Sequence, residues 1–149
     1  MLVYLDNCCY NRPFDDQNQM RIFLEAQAKM YIQDLVILGE LDLAYSYMSV
    51  YENNDNTYEN RKSIILDFFY NNASLFVDSD VSEKIEKHAE IIMKSGIKHK
   101  DAIHISCALE AKCDYFITTD DKVLKNYKGK DIIVRSPINF ISDREGQNA

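Results

Sequence analysis

The feature that most constrains this chain is an alternation. Apolar runs of three or four residues are separated by stretches whose apolar residues recur at helical spacing, and no hairpin-length turn joins any two runs. Strands that follow one another across helices run parallel, and a parallel sheet is buried on both faces. The runs occupy residues 2–5, 35–38, 75–77, 115–118 and 132–134. Helices are expected over residues 17–32, with Met20, Phe23, Leu24, Ala28 and Tyr31 as the inward stripe, and over 41–52, with Leu41, Ala44, Tyr45 and Met48. Further helices are expected over 58–70, with Ile64, Ile65, Phe68 and Phe69 inward, over 81–93 and over 101–112. The expected fold is α/β, a three-layer α/β/α sandwich with a mostly parallel central sheet. At 149 residues and 46% hydrophobic, the chain suits one such domain, residues 1–141, followed by a polar tail, residues 142–149.

No window approaches the ~18 uninterrupted apolar residues of a membrane span, and no basic region leads into an apolar secretory segment, so a soluble cytoplasmic protein is expected. Cys8 and Cys9 are adjacent and cannot readily pair, while Cys107 and Cys113 lack zinc-knuckle spacing; packed, reduced thiols are expected, with a metal or redox role for Cys8 and Cys9 left open. The net charge of -7 argues against a nucleic-acid partner at first sight. The charge is uneven, however. Residues 14–59 hold nine acids and two basic residues, whereas residues 98–130 hold seven lysines and five acids, three of which are Asp101, Asp120 and Asp121.

In open parallel sheets, ligands bind beyond the carboxyl ends of the strands, so polar residues that directly follow strands are the first candidates. Asp6 and Asp120 each follow an apolar run and should emerge on the same sheet edge, although Asp is also a favoured helix N-cap. Glu52 continues the stripe Leu41, Ala44 or Tyr45, Met48, so its carboxylate is expected to face inward or to escape where the helix frays. Asp101 lies in the first turn of its helix, where the dipole favours an acid, and it shares a face with Ile105 and Ala108. Four acids from four segments suit an oxygen-ligated Mg²⁺ or Mn²⁺. Such a site would catalyse phosphodiester hydrolysis. Asn7, Asn11, Thr118 and Thr119 are supporting candidates. His99 and His104 are left out, because a lone helical histidine is more often packed or at the surface.

The blocks Tyr4-Leu5-Asp6-Asn7, Lys100-Asp101-Ala102-Ile103-His104-Ile105 and Tyr115-Phe116-Ile117-Thr118-Thr119-Asp120-Asp121-Lys122 resemble those of the PIN-domain family, which includes VapC-type toxins. The resemblance runs over nearly the whole chain. It implies a metal-dependent ribonuclease acting on single-stranded RNA, with Asp6, Glu52, Asp101 and Asp120 as catalytic metal ligands and Asp121 as an assisting neighbour. It also implies an antitoxin that covers an apolar groove, and homodimers are common in the family. Cys8 stands where many relatives have Asn, and Glu40 or Glu59 could take the place of Glu52 after a register shift. The competing readings are a PIN-fold module that binds a protein or RNA without cutting it, and a receiver-like phosphate-handling protein, which would leave Glu52 and Asp101 unexplained.

Overall fold

Along Leu2–Leu5 (β1), Val3 and Leu5 turn to one face and Tyr4 to the other, and all three are buried, as an inner strand of a covered sheet requires. The structure, a computed structural model, describes the backbone of residues 1–148 and the side chains of residues 1–146. β1 is the middle of a five-stranded sheet in the order β3-β2-β1-β4-β5, formed with Asp42–Ser46 (β2), Leu75–Val77 (β3), Tyr115–Ile117 (β4) and Ile133–Arg135 (β5). Every pairing is parallel. The chain builds outward from β1 to β3, then crosses back to β4 on the other side of β1, so the strand order reverses between β1 and β4.

Helices Ser82–Met93 (α5) and His99–Glu110 (α6) cover one face, where Tyr4, Ala44 and Phe116 meet Ile85, Ala89, Ile103 and Ala108. The other face packs Val3, Leu5, Leu43, Tyr115 and Ile117 against Met20–Ile37 (α2), Glu59–Asn72 (α4) and Pro137–Asn148 (α8). Three short helices carry residues at the sheet's carboxyl edge: Asn7–Asn11 (α1), Tyr47–Asn54 (α3) and Asp121–Asn126 (α7). This is the expected three-layer sandwich.

Several local expectations are corrected. Residues 35–38, expected as a strand, complete α2, because Ile32, Leu35 and Val36 continue one helical stripe. That helix ends at Gly39, whose φ of +78° reverses the backbone as a left-handed C-terminal glycine does. The second strand is instead β2, inside the segment expected to be helical: Leu41, Leu43 and Tyr45 face one core and Ala44 the other. Ser46 then caps α3 through a reciprocal bond with Ser49. In α4, Ile65, Phe68 and Phe69 are buried as expected, but Ile64 is 56% exposed. The segment expected as a polar tail from residue 142 continues α8, where Asp143 pairs with Arg135 and Arg144 with Glu40; its last residue, Ala149, lies outside the described residues.

The inward stripe of α2 also differs from the expected one. Met20, Phe23, Leu24 and Tyr31 are exposed, and Glu25, Ala28, Lys29 and Ile32 are buried. Two charges face inward because each finds partners. Glu25 lies 3.3 Å from Arg12 and 3.5 Å from Arg21. Lys29 donates to Gln33 and lies over the rings of Tyr10 and Phe68, at 5.5 and 5.7 Å. Burial still lowers the Lys29 pKa from 10.5 to about 8. Because this value lies below that of the unfolded chain, the native state releases the proton first as pH rises, and stability increases between about pH 8 and 10.5. Lys29→Met is therefore expected to be about 1–3 kcal/mol more stable than the wild type at pH 7, with the gap closing through that window. Urea unfolding at a series of pH values measures it, and a gap that does not change with pH would contradict the assignment.

Candidate active site

The reversal of strand order between β1 and β4 opens a crevice at their carboxyl ends, and the residue that follows β1 is Asp6. Its backbone N–H donates to Ile117 O at 2.9 Å, which ties it to the end of β4. The residue is 4% exposed, and both of its carboxylate oxygens accept hydrogen bonds. Oδ1 accepts from the Asn7 N–H at 2.8 Å, and Oδ2 accepts from Thr118 Oγ1 at 2.8 Å and from the Cys8 thiol at 3.6 Å. Thr118 Oγ1 in turn accepts the Asp120 N–H at 3.1 Å, so a single hydroxyl links the two aspartates. Asp120 caps α7 through Oδ1, which takes the N–H groups of Lys122 and Val123. Asp6 and Asp120 thus occupy the same sheet edge, and both serve as helix caps there.

Glu52 reaches the same edge from the far end of α3. Its Oε1 meets His104 Nε2 at 2.5 Å, and His104 Nε2 lies 3.9 Å from Asp6 Oδ1. His104 is fully buried on α6, with Nδ1 at 2.6 Å from the Tyr4 hydroxyl, and that hydroxyl also meets Ser46 Oγ at 2.7 Å and Ser49 Oγ at 3.0 Å. His104 therefore bridges the Glu52 carboxylate at Nε2 and the Tyr4 hydroxyl at Nδ1, and Tyr4 continues the chain to Ser46 and Ser49. Burial alone would lower the His104 pKa, but its bond to Glu52 and the nearby acids Asp6, Glu52 and Asp101 outweigh this and raise it. Burial likewise pushes Glu52 up, and the His104 bond and charge, with help from Lys100 and Asn7, bring it below the usual value.

Asp101, in the first turn of α6, completes the group. Its pKa is pushed up to about 6, first by burial and then by the negative charges of Asp6, Asp120 and Glu52, against a smaller opposing effect of His104. The charges of the other three expected acids therefore all reach Asp101 across the crevice. The register alternatives do not join them, since Glu40 pairs with Arg144 and Glu59 is exposed in the first turn of α4. Asp121 is turned to Arg21, which grips it at 2.6 and 2.8 Å. Thr119 is buried and clamped by two arginines: Arg12 donates to its hydroxyl at 3.0 Å and Arg21 to its carbonyl at 3.3 Å.

Among the described residues, no three His, Cys, Asp or Glu side chains stand close enough together to form a ready metal shell. The donor chemistry nevertheless fits a hard divalent cation. Mg²⁺ keeps several of its waters and needs only one or two direct carboxylates, so acids spread around a crevice suit it, and the mutual repulsion felt by Asp101 is what a cation relieves. The residues passed over from sequence were His104, Tyr4 and the Arg12–Glu25–Arg21 group. His104 was legible in part, because it lies three residues after Asp101 on the apolar side of α6.

No protein-family model and no curated protein matches the chain. Among solved structures, it is similar to a chain in the crystal structure of VapBC2 from Rickettsia felis bound to a DNA fragment from their promoter. The match covers 91% of this chain and 98% of that one, with a TM-score of 0.55 and 13% sequence identity. The fold is PIN-like. In this PIN-like fold Asp101 lies at the switch point of the sheet, where burial and the charges of Asp6, Asp120 and Glu52 disfavour its ionised form. Asp101→Asn is therefore expected to stabilise the metal-free protein by about 1–2 kcal/mol at pH 7, after allowance for the half-exposed side chain. Because the folded pKa lies above the unfolded 3.8, the penalty is absent below about pH 4, grows to about pH 6 and is complete above it. Chemical denaturation in EDTA reads this difference, and a less stable variant at pH 7 would contradict the repulsion.

Proposed function

We propose that the chain is a divalent-metal-dependent ribonuclease that hydrolyses phosphodiester bonds of single-stranded RNA, the toxin of a toxin-antitoxin pair. The observation that carries this reading is geometric: Thr118 Oγ1 links Asp6 to Asp120 at one sheet edge, and His104 Nε2 reaches both Glu52 and Asp6 there. Asp101, its pKa raised first by burial and then by Asp6, Asp120 and Glu52, completes a set of acids from four separate segments. Of these acids Asp101 is the one left without a compensating bond or charge that outweighs its burial, and a bound cation would supply that compensation. Asp6, Glu52, Asp101 and Asp120 would hold Mg²⁺ or Mn²⁺, which supplies activation of the attacking water and offsets charge on the phosphate.

The protein's own part is to hold these carboxylates in place. Asp6 is fixed by Asn7, Thr118 and Cys8, and the contact with Cys8 fills the place where many PIN relatives carry Asn. Asp120 is fixed by the first turn of α7, and Glu52 by His104. Asp101 is the acid whose charge is least welcome without a cation. The likeness to VapBC2 supports an antitoxin as partner, and among the described residues no helix is long and apolar enough to cross a membrane.

Labelled single-stranded RNA incubated with the protein should be cleaved in Mg²⁺ and spared in EDTA, and Asp101→Ala should lower the rate by at least about 10²-fold. Cleavage that persists in EDTA would overturn the metal mechanism. Thermal melting that rises with Mg²⁺ but no cleavage of any single-stranded RNA would favour the binding module instead. His104→Ala, which frees Glu52, should weaken Mn²⁺ binding about 10–100-fold by calorimetry. Unchanged affinity would show that Glu52 does not hold the ion through that bond.

A further inference from the structure

Beside the acids lies a second feature, a polar pocket of about 280 Å³ between α1, the end of α3 and the start of α4. Glu52 forms part of its wall and is shared with the acidic crevice, so whatever occupies the pocket lies next to the reacting phosphate. The rest of the lining is Asn7, Asn11, Asp55, Asn56, Thr57, Tyr58 and Arg61.

The side-chain amides of Asn11 and Asn56 are held in place. Asn56 Nδ2 donates to Asn11 Oδ1 at 3.1 Å, Asn56 Oδ1 accepts the Tyr58 N–H at 3.2 Å, and Asn11 Nδ2 donates to Asn7 O at 3.1 Å. These bonds fix which end of each amide is donor and which acceptor, and they leave a further N–H on Asn11 and Asn56 and a further lone pair on each carbonyl. Tyr58 is 62% exposed, so its ring is open to stacking. The Arg61 guanidinium lies 4.6 Å from the Tyr58 ring centroid and 4.9 Å from that of Phe14.

Arg61 is the exception among the arginines. Arg12 and Arg21 pair with Glu25, Arg135 with Asp143 and Arg144 with Glu40, whereas among the described residues no carboxylate lies within ion-pairing distance of Arg61. It donates to Phe14 O at 3.3 Å, and its Nε is buried with no partner. In a chain of net charge -7, a cation left unpaired at a pocket mouth is a place for an anion. An anion alone would not call for an exposed aromatic ring and a row of oriented amides. A nucleotide uses all three: a base to stack and to hydrogen-bond along its edge, and a phosphate for the arginine.

We propose that this pocket is a subsite for one nucleotide of single-stranded RNA flanking the scissile phosphate. Tyr58 stacks the base, Asn11 and Asn56 contact its edge, and Arg61 takes the adjoining phosphate. The proposal rests on the ribonuclease reading above. The pocket's volume of about 280 Å³ has room for one unstacked base, which a single strand can offer and a duplex, with its bases turned inward, does not.

The test is binding of a short fluorescein-labelled single-stranded RNA to the full chain in EDTA, where cleavage does not intervene, read by fluorescence anisotropy at several salt concentrations. Tyr58→Ala is expected to weaken binding about 10-fold with little change in salt dependence. Arg61→Gln is expected to weaken it and to reduce the slope of log affinity against log salt by about one, a signature that a merely structural role would not produce. Arg144→Gln, which removes an ion pair on α8, is the control and should bind as the wild type does. Equal binding by all four proteins, or an unchanged salt slope in Arg61→Gln, overturns the subsite. If the wild type fails to bind RNA while Mg²⁺ still raises its melting temperature, the subsite falls and the metal site stands. If the wild type responds to neither, the ribonuclease reading falls with it.

Discussion

The pairing of β1 with β4, in the register that sets Leu5 against Ile117, is the contact on which the rest of the molecule depends. It joins the two halves of the sheet, since β2 and β3 lie on one side of it and β5 on the other. It also determines the chemistry of the carboxyl edge. The residues just past the paired strands, Asp6 and Thr118, are brought within 2.8 Å, and Thr118 passes the link to the backbone of Asp120. A slip of one residue would turn every side chain of β4 to the opposite face, exchanging Phe116 for Tyr115 and Ile117 between the two cores. The fold and the crevice therefore stand or fall on the same register.

A site made of acids works against the stability of the fold that holds it, and the structure balances this locally. Asp6 accepts a backbone N–H and a buried hydroxyl, Asp120 lies at the positive end of α7, and Glu52 is bonded to His104. His104 is itself held by Tyr4 and the serines that begin α3, so the position of a carboxylate on one helix is set by a strand and by another helix. Asp101 receives the least compensation and has the pKa displaced upward. The contrast with Lys29 is instructive. There the displaced charge lies in a core packed by rings, remote from the crevice, and the shift comes from burial, whereas for Asp101 three neighbouring acids add to burial.

The sandwich and its parallel sheet were legible because strand runs separated by helical stretches leave few other solutions. The second strand was not, because Leu41, Ala44, Tyr45 and Met48 fit a helical period as well as part of a strand one, and only the Ser46–Ser49 cap reveals where strand becomes helix. This matters for Glu52. It was expected either to face inward as the last member of a helical stripe or to reach solvent where the helix frays; it does reach the crevice, but Leu41, Ala44 and Tyr45 belong to no common helix with it. What turns it inward is His104, a partner from 52 residues away that no local pattern could supply. Asp6 and Asp120 were legible for a firmer reason, since both follow strands, and their capping role turned out to accompany their position in the crevice.

Net charge alone would have argued against an RNA partner, and the arrangement of the arginines removes the difficulty. Steering of a polyanion depends on local potential more than on the total. Arg12 and Arg21 stand behind Thr119 with most of their charge engaged by Glu25 and Asp121, so they organise the turn that carries Asp120 and add little free charge. Lys100, on α6 beside Asp101, acts on Glu52, and Arg61 stands unpaired at the neighbouring pocket. On the proposed reading the placement of cations matters more than the total charge, and Arg61 shares a pocket wall with Glu52.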